Sequence, residues 1–445
     1  MKLRLERGKF LRLWQAAGNV ADTKNKNNLL GGVLFSANPD GQIILEATDL
    51  KTSAVKCIFK NIEVEEPGTC LLPVEIVSNI LKKAKGKTLK LETTSEHAII
   101  SSDRNKTRIT VMQPEEFPTL PNSDSAEFFC VLQLSDLTKL SAEGTAAGSQ
   151  PSDFPKYLGT CLLQTTITDI KAVATDGKRI SISQALCTSG GENSILIPAA
   201  AFKDLTRTLS TYINPLSKIT IKTDGTTSWF IIEDEDFEME FSIRLIETPF
   251  PAYEKILNKE VKASMIISRL DFLSAIERID IIARNNNGHI AVLTLDPESD
   301  LKITARAPEL GMTTELVKSK IQGEFMRIGF NAMFLQDGLK ALGQVSSKDE
   351  LKIEFSDPEG QTRLYRNDDE TFLYMVMPAR ITSQDYLDDE GEFFAPPEED
   401  INDTSEGDNE PENNSENNNS EEYNEYNEGS QENYNQPENN NEYQN

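Results

Sequence analysis

Gly86-Lys87-Thr88 is the first grouping along the chain that could handle phosphate, because a lysine and a hydroxyl after glycine can hold an anion and magnesium. The surroundings are wrong for that chemistry. A phosphate loop runs from a strand through glycines into a helix, whereas here its first glycine would fall on Leu81, inside a helical pattern that stops at Gly86 before a strand. Gly86 is expected to be a helix C-cap. Asp49 and Asp176 are the next candidates, as paired carboxylates for acid–base work. Each follows an apolar strand in a Thr-Asp pair, and the pairs recur 127 residues apart, which marks them as turn residues of a repeat. His97 and His289 are the only histidines, expected at the surface and in a loop, and two are too few for a multi-histidine metal centre or a Ser-His-Asp set. The five cysteines (Cys57, Cys70, Cys130, Cys161, Cys187) are odd in number and contain no C-x-x-C, so neither a disulfide framework nor a zinc site is expected. The chain reads as a non-enzyme of a reducing cytoplasm, with no catalytic residue, metal or cofactor.

The elements that would position any site form a degenerate triple repeat. A chain of 445 residues exceeds one ordinary core. No apolar run reaches eighteen residues, and Met1–Gln15 mixes Lys, Arg and Glu with Leu, so neither a membrane span nor an export signal is expected. Apolar-patterned helices are predicted over Glu6–Val20, Leu134–Glu143 and Ser268–Ile281, each followed by a strand-rich stretch and a second helix. Those second helices, Glu75–Ala84, Ala200–Ser210 and Ala332–Leu342, follow Leu-Pro-Val, Ile-Pro-Ala and Gly-Phe-Asn, with Pro73 to Pro198 spaced by 125 residues and Pro198 to Phe330 by 132. Alternating segments such as Thr107–Met112, Lys218–Lys222, Glu238–Ile243 and Leu351–Phe355 read as half-buried strands. Strands in runs rather than in strand–helix alternation predict an α+β fold of antiparallel sheets. Proline-marked joints at Phe117–Pro121 and Thr248–Pro251 divide it into residues 1–125, 126–250 and 251–383.

Charge separates a fourth region. Gln384–Asn445 holds 21 Asp or Glu and no Lys or Arg, so of the net −27 only −6 belongs to the remainder. Its Asn, Glu, Ser and Tyr composition buries too little apolar surface to offset ordering entropy, and residues 384–445 are expected to be a disordered acidic tail. The predicted helices carry cations, among them Lys82, Lys203 and Arg207. Such residues usually solvate an outer face, but if all helices turn to one partner they supply a sequence-independent, salt-sensitive attraction to a phosphate backbone.

Ala174-Thr175-Asp176-Gly177-Lys178-Arg179-Ile180, Phe250-Pro251-Ala252-Tyr253-Glu254-Lys255-Ile256-Leu257, Gly329-Phe330-Asn331 and Tyr374-Met375-Val376-Met377-Pro378-Ala379-Arg380-Ile381 together resemble the bacterial DNA polymerase III beta subunit, the sliding clamp. The resemblance runs from Met1 to about Thr382. It implies a head-to-tail homodimer, a ring of six similar domains whose helices surround duplex DNA without sequence preference. Such a ring tethers the replicative polymerase and docks the clamp loader and repair proteins. By position it assigns DNA contacts to Lys24, Lys156 and Tyr157, beside the helical Lys82, Lys203 and Arg207. It implies a peptide groove between the second and third domains at Leu158, Thr175, Gly177, Lys178, Arg179, Ile180, Pro251, Lys255, Ile256, Asn331, Phe334, Met375, Met377 and Pro378. Apolar walls with a few polar groups suit a peptide anchored by Leu or Phe. Lys178 stands where histidine is usual, Lys255 where arginine is common, and Asn287 where an apolar wall residue is frequent. The dimer seam is implied at Ile281 and Ile282 against Ile109, with Arg104 and Lys106 facing acids such as Glu309; Thr107 replaces a larger aromatic.

A competing reading is a clamp-derived scaffold that binds peptides without encircling DNA, motivated by the acidic tail and the small Thr107. An enzyme using Asp49 or Asp176 is a third. The tail leaves the body beside Met375–Pro378, and two readings of it stand side by side: a solubility tail with no effect on binding, or a gate whose charge repels acidic peptides and stray DNA and favours partners with flanking Lys or Arg.

Overall fold

The computed structural model describes residues 1–23, 29–148, 155–257, 260–344, 349–367 and 369–381. Lys24 and the acidic segment Gln384–Asn445 lie outside the described residues.

Among the described residues six α-helices carry the apolar spacing seen in the sequence: α1 (Arg7–Gly18), α2 (Val74–Lys83), α3 (Leu134–Gly144), α4 (Ala199–Tyr212), α5 (Arg269–Ala283) and α6 (Ala332–Leu342). Phe10, Leu13, Trp14 and Ala17 make the buried stripe of α1, and Phe272, Ala275, Ile276, Ile279 and Ala283 that of α5, both at the helical period. In α5 the Ser268 side chain accepts a hydrogen bond from Asp271 N, and in α6 Asn331 accepts from Met333 N and Phe334 N, satisfying amides that the helix starts leave open. Lys2–Thr110, Glu127–Arg244 and Ala263–Val376 share one element order: one strand, a helix, five strands, a helix, three strands. Predicted helix ends lie within two residues of the observed ones, and those of α6 coincide with them.

Each copy splits its strands into a five-stranded half and a four-stranded half, and the halves join across copies. The four-stranded half of the first copy meets the five-stranded half of the second through Ser53–Phe59 and Phe237–Arg244, with Ser53 opposite Ile243. The second copy meets the third in the same way through Arg179–Leu186 and Asp369–Val376, with Arg179 opposite Val376. Two nine-stranded sheets result. The five-stranded half of the first copy and the four-stranded half of the third are left over, ending in the open edges Asn105–Thr110 and Gly311–Val317. Helices pack in pairs within each copy, and α1 touches α4 and α3 touches α6 across the joints, so the helices form a continuous layer.

One expectation changes on contact with the structure. Gly86 is not the C-cap of α2, a position held by Ala84, whose N–H donates to Ile80 O. Gly86 is pressed against Ser102 and Asp103, where a Cβ would lie 2.5 Å from Ser102 Oγ, so it is a close-approach residue. His97 lies partly open to water in strand His97–Ser102, beside the exposed Glu96, and His289 lies in the loop before Ile290–Leu295. The turn reading of the aspartates holds: Asp49 Oδ1 accepts from Lys51 N, Thr52 N and Ser53 N, and Asp176 Oδ1 from Lys178 N and Arg179 N. Among the described residues no helix is long and apolar enough to cross a membrane, and no group of His, Cys, Asp and Glu is arranged to hold a metal. All five cysteines are free thiols, and burial pushes those of Cys57 and Cys161 up to about 12.

Gly338 shows how tightly the second joint is packed. A Cβ there would lie 2.4 Å from the ring of Tyr374. Overpacking of this kind costs about 1–3 kcal/mol, against roughly 1 kcal/mol gained in helix propensity. Gly338→Ala is therefore expected to lower the urea midpoint of unfolding. An unchanged or raised midpoint would show that the Tyr374 ring moves freely.

Candidate functional site

The second joint gathers most of the residues that the sequence motifs single out. Arg179 starts one of its two pairing strands, and its guanidinium is shared by three groups. Nε donates to Asp176 Oδ2 at 2.8 Å, and one terminal nitrogen donates to Asp337 Oδ2 at 2.7 Å and to Tyr374 Oη at 3.1 Å. The same guanidinium lies 4.3 Å over the ring of Phe334, and Tyr374 Oη donates to Phe334 O. Burial works against the charge of Arg179, but Tyr374, Asp337 and Asp176 together hold its pKa above the ordinary arginine value. Burial raises the Tyr374 hydroxyl as well. Arg179 is thus a permanent cation that ties α6 to the sheet. Asn331 is equally committed, capping α6 and donating to Gly288 O.

Beside this polar knot lies a small apolar cluster. Ile180 and Met375 are cross-strand partners and pack with Leu162, Val173, Leu196 and Tyr253. Tyr157, Phe250 and Tyr253 form a chain of edge contacts at 6.0 and 6.3 Å, and Tyr253 Oη donates to Gln164 Oε1. Over the cluster, apolar side chains remain open to water: Ile256 is 50 % exposed and Met377 37 %. Met377 N donates to Lys178 O, which fixes the strand end that carries Met377 and Pro378. Leu158 and Thr175 are half-buried, whereas Gly177, Lys178, Pro251 and Lys255 are exposed. Gly177 has φ +85°, the left-handed turn conformation that favours glycine. Two cavities share Tyr253 and Glu254 in their walls, one of about 530 Å³ and one of about 770 Å³.

The helix layer holds the second set of predicted residues. Lys82, Lys203 and Arg207 are exposed on α2 and α4, and Arg207 also pairs with Asp204 at 2.7 Å. Lys203, Arg207 and Lys340 line a further cavity of about 650 Å³ between α3, α4 and α6. Lys156 is exposed next to Tyr157, whose ring is partly engaged by Phe250. Ile281 is 60 % exposed near the end of α5, while Ile282 packs in part on the core of the third copy. Arg104 and Lys106 are exposed at the open edge of the first copy, Thr107 and Ile109 are half-buried and buried on that strand, and Glu309 is exposed beside the open edge of the third.

Sequence reasoning missed Asp337 and Tyr374, which hold Arg179, and the buried pair Glu143–Arg366, which joins α3 to strand Thr362–Arg366. Tyr374 stands next to Met375 in a quoted motif, so its place was legible; Asp337 and Glu143 look like ordinary solvent-facing helix charges.

Residues 1–121 match the family model for the DNA polymerase III beta subunit, N-terminal domain, and residues 254–380 that for its C-terminal domain. The chain is 24 % identical over 383 residues to the beta sliding clamp of Escherichia coli K12, covering 86 % of this chain and 100 % of the relative. It is 22 % identical over 390 residues to that of Bacillus subtilis, covering 85 % and 100 %. Among solved structures, the DNA polymerase III beta subunit of Thermotoga maritima superposes with a TM-score of 0.76 at 22 % identity, covering 86 % of this chain and 100 % of that one.

Proposed function

The chain belongs to the DNA polymerase III beta subunit family, and from that premise we propose that two copies close head to tail around duplex DNA as a sliding clamp. The observation that carries this reading is the pair of unfinished sheets. Two joints within the chain each combine a four-stranded with a five-stranded half, and the leftover halves are one of each kind. A second copy brings the missing half to each end, and a two-fold arrangement satisfies both at once. Transferring the rungs Ser53–Ile243 and Arg179–Val376 to that third joint sets Gly311 opposite Ile109 of a second copy, and Thr313 opposite its Thr107. The helix contacts transfer likewise, α5 taking the place of α1 and α3, and α2 that of α4 and α6. Ile281 and Ile282 then cover Ile109, with Arg104 and Lys106 offering charge to Glu309.

Inside such a ring the helix layer faces DNA. Helices of 10 to 15 residues are roughly 15–22 Å long, enough to span phosphate tracks without entering a groove to read bases. Lys82, Lys203, Arg207, Lys156 and Tyr157, with Lys24, supply a weak attraction to the backbone that topology, not affinity, makes persistent. No step of bond making or breaking is assigned to the chain; it holds the replicative polymerase to its template and receives the clamp loader. The docking site is the second joint, with Leu158, Ile180, Ile256, Met375 and Met377 as apolar wall and Pro251, Lys178 and Lys255 at the rim.

Loading by a clamp loader onto nicked circular DNA tests the ring. The complex should survive high salt on the circle and be lost when the circle is cut. Equal retention on circular and linear DNA would sink the proposal. Met377→Ala tests the groove separately, and is expected to weaken a Leu-Phe peptide about tenfold with dimer mass unchanged.

A further inference from the structure

The cavity of about 530 Å³ next to the groove is lined by carboxylates and, among the described residues, by no cation. Glu127, Glu247 and Glu254 stand exposed in its wall, and no described Lys or Arg lines it. Its floor is apolar, with Leu162, Leu196 and Leu245 each less than a tenth exposed. Leu162 and Leu196 belong to the same cluster as Ile180 and Met375, and Pro251 borders both cavity and groove, so the two are continuous. Across Tyr253 the neighbouring cavity adds Glu192 and Glu370 and, among the described residues, Lys171 as its one cation. Nucleic acid does not fit here, because the carboxylates would repel its phosphates. An extended segment bearing Lys or Arg does fit. Its methylene stems lie along the apolar floor while the charged ends meet the glutamates.

We infer that a partner peptide anchored in the groove continues into this cavity, and that the continuation is basic, pairing with Glu127, Glu247 and Glu254. The inference rests on the reading of the second joint as a peptide groove. It makes charge next to the anchor the feature by which partners of this clamp are ranked.

The test uses fluorescence anisotropy with synthetic peptides that share a Leu-Phe anchor and carry a short flank of either Lys and Arg or Ser and Gly. At low salt the basic flank is expected to bind about tenfold more tightly, a gain set by a few exposed ion pairs and erased at high salt. In the full-length dimer, the combined substitutions Glu127→Gln, Glu247→Gln and Glu254→Gln should abolish that gain and leave the Ser-Gly peptide unchanged. Equal affinity of parent and triple variant for the basic peptide would overturn the inference. Met377→Ala separates it from the groove: undiminished binding of the Ser-Gly peptide to Met377→Ala would refute the groove itself, whatever the glutamates do. A basic peptide that depends on the glutamates but ignores Met377→Ala would overturn the continuation from groove to cavity.

Discussion

Glu143→Ala is expected to destabilise the folded body by about 3–5 kcal/mol, the usual result of stripping one partner from a buried ion pair. Glu143 is fully buried on α3, and the side chain of Arg366, 1 % exposed, comes from the third copy to meet it. Ser183 Oγ donates to the second carboxylate oxygen at 2.6 Å, and Arg366 also donates to Leu342 O and Asp369 Oδ2. Without the carboxylate, Arg366 keeps, among the described residues, only Asp369 as counter-charge, and that carboxylate is one-third exposed. The guanidinium cannot discharge, so it must draw water into the joint or pull the strand out. The first joint offers the contrast. Its ion pair Lys9–Asp236 is about half exposed on both sides, so Lys9→Ala should cost well under about 1 kcal/mol. Urea unfolding of both variants decides the matter. A loss below about 1 kcal/mol for Glu143→Ala would mean that the second joint already admits solvent. Replacing both residues together, as Glu143→Leu with Arg366→Met, should recover much of the loss, because the pair's own net contribution is small once desolvation is counted.

That pair also marks the limit of what the sequence discloses. The repeated element order was legible because helix stripes, proline lead-ins and Thr-Asp turns are local patterns, and each reflects a local cause: a 3.6-residue period, a restricted φ, a side chain that caps its own turn. Ile180, Met375 and Met377 could be placed at one site because their motifs are contiguous and the resemblance supplies the pairing. Glu143 could not. It occupies a position in α3 that a single-helix view assigns to solvent, and its partner is 223 residues away. The roles of Arg179 and Asn331 were hidden for the same reason. As residue types they suit a peptide groove, but Asp337, Tyr374 and the start of α6 claim their hydrogen bonds. Gly86 was misread because a glycine just past a helix has a ready local explanation, whereas the close approach of Ser102 is a tertiary fact.

The same distinction between local and assembled burial selects the residue that best tests the ring. Ile282 already packs in part on the core of the third copy, so a charge there would harm the single chain as well as the seam. Ile281 is 60 % exposed in the single chain, so Ile281→Asp should leave the unfolding curve of the chain nearly intact. In the closed ring it would place a carboxylate against the apolar side chains around Ile109. Burying an unpaired charge costs several kcal/mol, and the proposed two-fold ring would contain this seam twice. Dimer dissociation should therefore rise by about a thousandfold or more, seen by sedimentation as monomer at concentrations where the parent is dimeric. Retention on nicked circular DNA should disappear with it, because an opened ring has no topological hold. Peptide binding should persist, since the second joint lies wholly within one chain. Dimer mass unchanged at the lowest measurable concentration would mean that α5 does not face the seam. Loss of peptide binding together with the dimer would instead show that the joints are coupled through the helix layer rather than built as separate copies of one contact.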